Sequence, residues 1–324
     1  MRRVAVTVLI GAWSVLAHAQ NLVLPLRDNS VRFAVLGDTG TGDRVQYDVA
    51  KQIVAQYAKF PFTFAIMLGD NIYGSERPQD FRRKFETPYA ALLNAKVEFY
   101  AALGNHDDPN QRFYKPFNMN GERYHTFKKG NVRFFALDSN YMDPEQLRWL
   151  EKQLQASGSD WKIPYFHHPL YSSGQHGSQV ELRRIVEPLF IKYGVDVVFA
   201  GHEHFYERLK PQKEIHYFTS GGAAKLRADD IGDLGLTEKG FDTDRSFMLV
   251  EISEDEMFFQ TISRTGQTVD KGSLRRREMQ QQTRGRGAPA PRASTGLPRR
   301  CRTTRKPVSN PKTSCWGDSS GRMP

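Results

Sequence analysis

Cysteine is nearly missing from this chain: there are two in 324 residues, Cys301 and Cys315, both near the carboxyl end. A disulfide framework through the body is therefore excluded, and stability has to come from a packed core and from whatever the fold binds. No apolar run reaches the ~20 residues a membrane-spanning helix needs, so a transmembrane anchor is not expected. An excess of basic charge is missing from the body as well. The formal net charge is +10, but residues 271–324 hold fourteen Lys and Arg against Glu278 and Asp318 alone, which leaves the preceding residues slightly acidic. A polyanion such as nucleic acid or acidic lipid would have to be met by the tail, not by a basic face of the body.

What is there is 39% hydrophobic and 12% aromatic, enough for one large core or two modest domains. Residues 1–19 carry Arg2-Arg3, an apolar run from Val4 to Leu16 and then Ala17-His18-Ala19, the pattern of a cleavable signal peptide. Export to the periplasm or the medium is the expectation, with cleavage after Ala19. Residues 20–270 form the expected folded domain. From about Lys271 periodicity stops, and residues 271–324 read as a basic appendage that is disordered or out of frame. Binding of nucleic acid or acidic lipid by its Arg clusters is the weaker reading.

The body alternates between β-prone runs and helical spacing. Val31 to Leu36 reads as a strand ending at Gly37-Asp38-Thr39-Gly40, and Val45 to Lys59 as a helix returning to a strand Phe64 to Leu68. A helical stretch over Phe81 to Leu93 leads to Val97 to Leu103 and Gly104-Asn105-His106-Asp107. Tyr124 to Lys128 and Val132 to Leu137 read as a hairpin. A helix follows, with Asp143 as its cap, Pro144 in its first turn and Gly158 after its end. Trp161 to Phe166 ends at His167-His168-Pro169, and Val195 to Ala200 ends at Gly201-His202-Glu203-His204. Ile215 to Thr219, Phe247 to Ile252 and Met257 to Ile262 are further strands.

Five apolar runs thus end in Asp38, Asp70, Asn105, His167 and His202. In open α/β sheets the carboxyl ends of the strands form the binding crevice. Any one of these residues alone is an ordinary turn or loop residue, Gly-Asp-Asn in particular; their repetition at successive strand ends points to a metal site. Asp70 fits a bridge, because each carboxylate oxygen can face a different cation while the flanking glycines let the backbone turn sharply. Tyr73 suits a hard trivalent ion better than Mg²⁺ or Zn²⁺. His202 and His204 flank one residue and diverge in extended backbone, which suits two adjacent metals.

The order and spacing of GD-x-G, GD-xx-Y, GNHD, H-x-P and GH-x-H resemble the calcineurin-like metallophosphoesterases, and within them the small, tartrate-resistant type of purple acid phosphatase. The resemblance runs from about Val31 to Lys225. The superfamily at large has a histidine two residues after the first aspartate; this chain has Gly40 there and supplies Tyr73 instead, as the purple branch does. The resemblance implies an α/β fold, a two-sheet β-sandwich flanked by helices. It gives Asp38, Tyr73 and His204 to Fe³⁺, and Asn105, His167 and His202 to a divalent ion (Fe²⁺, Zn²⁺ or Mn²⁺), with Asp70 between them. His167 is preferred to His168 by the spacing to the following proline, which leaves His168 facing outward. His106 and His176 match catalytic histidines at the substrate mouth.

The chemistry expected of such a site is hydrolysis of small phosphomonoesters by attack of a metal-bound hydroxide on phosphorus, with an imidazolium protonating the leaving oxygen. A phosphodiesterase or phosphoanhydride hydrolase on the same scaffold is the alternative, because the motifs position phosphorus and not the leaving group. His125 and His216, in strands, read as sheet histidines, and Asp229, Asp230 and Asp233 as a solvated loop.

Overall fold

A computed structural model describes residues 22–277. Thirteen strands form two sheets among the described residues. In chain order the first elements are β1 (Val31–Leu36), α1 (Arg44–Tyr57), β2 (Phe64–Met67), α2 (Pro78–Phe81), α3 (Ala90–Asn94) and β3 (Glu98–Ala101). Next come β4 (His125–Lys129), β5 (Val132–Ala136), α4 (Pro144–Ala156), β6 (Trp161–Phe166), α5 (Val180–Tyr193) and β7 (Val197–Ala200). The remaining strands are β8 (Tyr206–Leu209), β9 (His216–Ser220), β10 (Thr237–Phe241), β11 (Ser246–Ser253), β12 (Glu256–Ser263) and β13 (Thr268–Arg275).

One sheet has the order β13-β12-β11-β1-β2-β3 and the other β10-β8-β9-β7-β6-β5-β4. In the first, β1, β2 and β3 are parallel; in the second, β5, β6, β7 and β9 are. Strand alternation sorts the side chains into three apolar layers. Phe33, Val35, Phe64 and Ile66 point between the sheets, where they meet Phe134, Trp161, Ile163 and Phe199. The alternate residues Ala34, Leu36, Ala65 and Met67 point outward and pack with Val49 and Ile53 of α1, Leu92 of α3, Phe85 and Phe117. On the far side, Leu150 and Leu154 of α4 and Val186 and Phe190 of α5 cover Phe135, Phe166 and Val198. Strands buried on both faces read as near-continuous apolar runs, which is what VRFAVL and WKIPYF are apart from Arg32 and Lys162 near their starts. The result is the expected helix-sheet-sheet-helix sandwich.

Local signals hold where their chemistry is complete. Asp43 and Asp143 cap α1 and α4 by accepting from the backbone N–H of Gln46 and Gln146. The helix expected over Phe81 to Leu93 is instead broken: after α2 a π-turn spans Arg82–Glu86, and α3 starts only at Ala90. Pro88 has no N–H to continue the ladder and its ring crowds the preceding turn. The sheet also continues past the boundary expected at Lys271. β13 pairs with β12 from Thr268 to Arg275, Arg276 N–H donates to the Asp255 carbonyl at 2.9 Å, and Arg277 N–H donates to Asp196 at 2.9 Å. This is an edge strand with one packed face, carrying only Val269 and Leu274 to the core, so its sequence shows little periodicity. The leader, both cysteines and the tail beyond Arg277 lie outside the described residues. No described helix is long and apolar enough to cross a membrane.

Candidate metal centre

The carboxyl ends of β1, β2 and β3 in one sheet and of β6 and β7 in the other meet at one edge of the sandwich. Three of the side chains presented there sit on left-handed backbone: Asp38 at φ 58°, Asp70 at φ 52° and His202 at φ 70°. Non-glycine residues adopt that conformation at a cost and cluster where function requires it. Close approach makes a glycine obligatory at Gly104, where a Cβ would stand 2.2 Å from Asp70 Oδ1 and from its backbone nitrogen.

The sequence-predicted residues fall into two groups of facing atoms. In one, the Tyr73 hydroxyl lies 3.0 Å from Asp38 Oδ1 and 3.3 Å from His204 Nε2, and the last two are 3.4 Å apart. In the other, Asn105 Oδ1 is 2.9 Å from His167 Nε2 and 3.1 Å from His202 Nδ1, with 3.1 Å between the two ring nitrogens. Asp70 lies between the groups: its Oδ1 is 3.5 Å from His167 Nε2, and ligand-type atoms of Asp38, Asp70 and His167 all fall within 4.8 Å of one another. Donor spacings near 3 Å are those of neighbouring ligands around an ion with bonds of about 2 Å. The His167 Nδ1 lies 2.9 Å from the Leu68 carbonyl, which fixes the proton there and leaves the Nε2 lone pair facing the site.

Electrostatics agree with that use. Burial, then Asp70, raises the Asp38 carboxyl well above its ordinary value, and burial with Asp38 and Asp70 pushes the Tyr73 phenol far up. Burial holds His167 neutral, presses His202 down to about 2, helped by the crowding of His167, His168 and His176, any of which would repel a second proton, and takes His204 to about 4 with help from Arg227. Neutral imidazoles keep the lone pairs a metal needs, and the crowded acids are what a cation compensates. The donor set, its spacing and its strained backbone fit a pair of metal ions.

His106 and His176 lie at the rim. His106 is exposed, its backbone N–H donates to Asp70 Oδ1 at 3.0 Å, and its ring centroid is 5.2 Å from that of Tyr73. His176 stacks on His202 at 4.2 Å and places Nδ1 3.3 Å from Glu203 Oε2. His168 does not face outward: its ring is 4.5 Å from that of His202, its Nδ1 is 2.9 Å from Ser139 Oγ, and it forms a metal-capable group with His167 and His202. His125 and His216 remain in β4 and β9, outside these groups; burial takes His125 to about 4.

Sequence reasoning missed the supports. Asp107, the last residue of GNHD, is buried and accepts from the N–H groups of Gly104 and Ile72 and from the side chains of Asn71 and Gln111, tying the loops after β2 and β3 together. Burial and then Asp70 raise it to about 7. Arg227 meets Glu203 at 3.1 Å and Asp230 at 3.3 Å, so Asp230 is held in place, not in a solvated loop. Nothing in the local sequence of Arg227 announces its pairing with Glu203, which comes from another strand end; only Asp230, three positions on, is local.

Comparison with known proteins agrees with this geometry. Residues 31–206 match the family described as calcineurin-like phosphoesterase. The chain is 27% identical over 324 aligned positions to tartrate-resistant acid phosphatase type 5 of Rattus norvegicus, covering 83% of this chain and 99% of that one. It is 29% identical to Fe(3+)-Zn(2+) purple acid phosphatase 12 of Arabidopsis thaliana, over 63% of this chain and 49% of that one. The fold is similar to that of GAP50, described as the anchor in the inner membrane complex of Plasmodium. There the TM-score is 0.69 at 19% identity, over 78% of this chain and 90% of that one.

Proposed function

The chain belongs to the calcineurin-like phosphoesterase family and is a metal-dependent phosphoric ester hydrolase, and within that family we propose that it is an exported acid phosphatase cleaving phosphomonoesters at two metal ions. The observation that carries this reading is the placement of Asp70 between two groups of facing donor atoms. Asp38, Tyr73 and His204 would hold Fe³⁺, and Asn105, His167 and His202 the divalent ion. The phenol favours the trivalent ion at the first position, and a relative whose name pairs Fe(3+) with Zn(2+) supports the mixed pair.

Such a pair, when bound, supplies Lewis acidity toward phosphoryl oxygens and acidifies a water into a nucleophile at low pH. The chain's own residues do the rest. His106, exposed beside Asp70 and Tyr73, donates to a phosphoryl oxygen and holds the ester in line. His176 gives its proton to the departing ester oxygen, with Glu203 at 3.3 Å steadying its ring. The leader pattern of residues 1–19 supports export, which amino-terminal sequencing of the secreted protein beginning at Gln20 would verify.

Steady-state hydrolysis of nitrophenyl phosphate, its bis-ester and pyrophosphate, between pH 4 and 8, tests the substrate class. The monoester is expected to give the highest kcat/KM, with an acidic optimum. A bis-ester or pyrophosphate turned over faster than the monoester would overturn the assignment.

A further inference from the structure

Two cations lie on the segment that follows β9, and the structure treats them differently. Arg227 is spent on Glu203 and Asp230. Lys225 has no carboxylate within ion-pair distance among the described residues. Its ammonium instead lies 4.5 Å from the centroid of the Tyr73 ring, and its backbone N–H reaches the Asp38 carbonyl at 3.4 Å. The main chain of Lys225 is thereby tied to the strand end that presents one metal-site carboxylate, while its charge rests on the neighbouring phenol ring. Half-buried, with the acids of the site turned toward one another, it is a free positive charge at the mouth of a phosphate site.

We propose that Lys225 is a substrate-binding residue that grips a non-bridging oxygen of the phosphoryl group and favours dianionic monoesters over monoanionic diesters. This rests on the reading of the site as a phosphomonoesterase. A monoester offers three non-bridging oxygens and two negative charges; a diester offers two and one. With two oxygens turned to the metal side and His106, only the monoester has a third for the ammonium. A cation resting on a ring at a partly exposed site is weakly held, and the flexible lysine stem swings to an anion at little cost. A charge-assisted hydrogen bond to phosphate is stronger than the contact given up.

The test compares Lys225→Met and Lys225→Arg with the unaltered metal-loaded enzyme near pH 7, above the second ionisation of a phosphate monoester at about 6. It measures metal content, kcat/KM on an aryl monoester and on its methyl diester, and competitive inhibition by orthophosphate and by dimethyl phosphate. In Lys225→Met, monoester kcat/KM should fall at least about tenfold and orthophosphate should inhibit correspondingly more weakly. Diester turnover and dimethyl phosphate inhibition should stay within about twofold, and Lys225→Arg should recover most of the loss. Unchanged monoester and orthophosphate values, an equal loss with both classes of anion, or loss of metal would overturn the proposal. Failure of the unaltered, metal-loaded enzyme to cleave the monoester at all would instead overturn the underlying functional reading. Orthophosphate titration of the same proteins would still decide the role of Lys225.

Discussion

The Tyr73 hydroxyl stands 3.0 Å from Asp38 Oδ1, although the two residues come from loops after different strands. A half-buried phenol beside two carboxylates is held protonated unless a cation joins them. In Tyr73→Phe the trivalent ion should therefore keep Asp38, Asp70 and His204 and lose its phenolate. Absorption spectra and metal analysis of the variant should show the visible band expected of phenolate-to-Fe³⁺ charge transfer gone, with at least part of the iron retained. An unchanged band would show that Tyr73 is not a ligand.

His176→Ala should separate leaving groups. An alkyl oxygen departs poorly without a proton, whereas nitrophenolate needs little help, so rates on alkyl phosphates should fall by about 10²-fold or more and those on nitrophenyl phosphate far less. Metal content should be unchanged. Equal slowing of both esters with metal lost in parallel would make His176 a structural residue or a ligand.

The sheet edge yields a pH prediction distant from the site. Asp196 is buried and accepts from the N–H groups of Lys162 and Arg277, each at 2.9 Å; burial raises it to about 6 from an ordinary 3.8. The folded protein thus binds a proton that the unfolded chain releases between about pH 4 and 6. This contribution to stability is fully present below the unfolded value and is lost as pH rises through the folded one, on the order of 3 kcal/mol across the window. Asp196→Asn should flatten that part of the stability curve measured by urea unfolding. A variant curve parallel to the original from pH 4 to 6 would contradict it.

Most of the site was legible because its residues sit at the ends of apolar runs that are buried on both faces, where spacing alone places Asp38, Asp70, Asn105, His167 and His202 together. The buried strands and the capped helices α1 and α4 were legible for the same reason: each local signal agrees with its tertiary setting. What escaped was set by long-range contact. β13 is an edge strand whose pattern is mostly polar, α3 starts late because of Pro88, and the turn of His168 toward His202 depends on Ser139, 29 positions away. Arg227 and Lys225 reach the site only through the course of the chain after β9.

Truncation tests the corrected boundary. Ending the chain after Arg277 should leave the melting temperature and nitrophenyl phosphate turnover nearly unchanged, since every assigned site residue precedes it. Ending it after Asp270 cuts β13 in two and removes the bond from Arg277 to Asp196, and should lower the melting temperature by several degrees. Equal stability of the two forms would show that the second half of β13 contributes nothing.

The most direct measurement is metal stoichiometry and visible absorption of the purified protein, taken alongside phosphatase activity as metal is removed and restored. Two ions per chain, one of them iron, a visible band and monoester hydrolysis that disappear and return together are the result expected of two donor groups sharing Asp70. Full activity with one ion or none per chain would contradict the account.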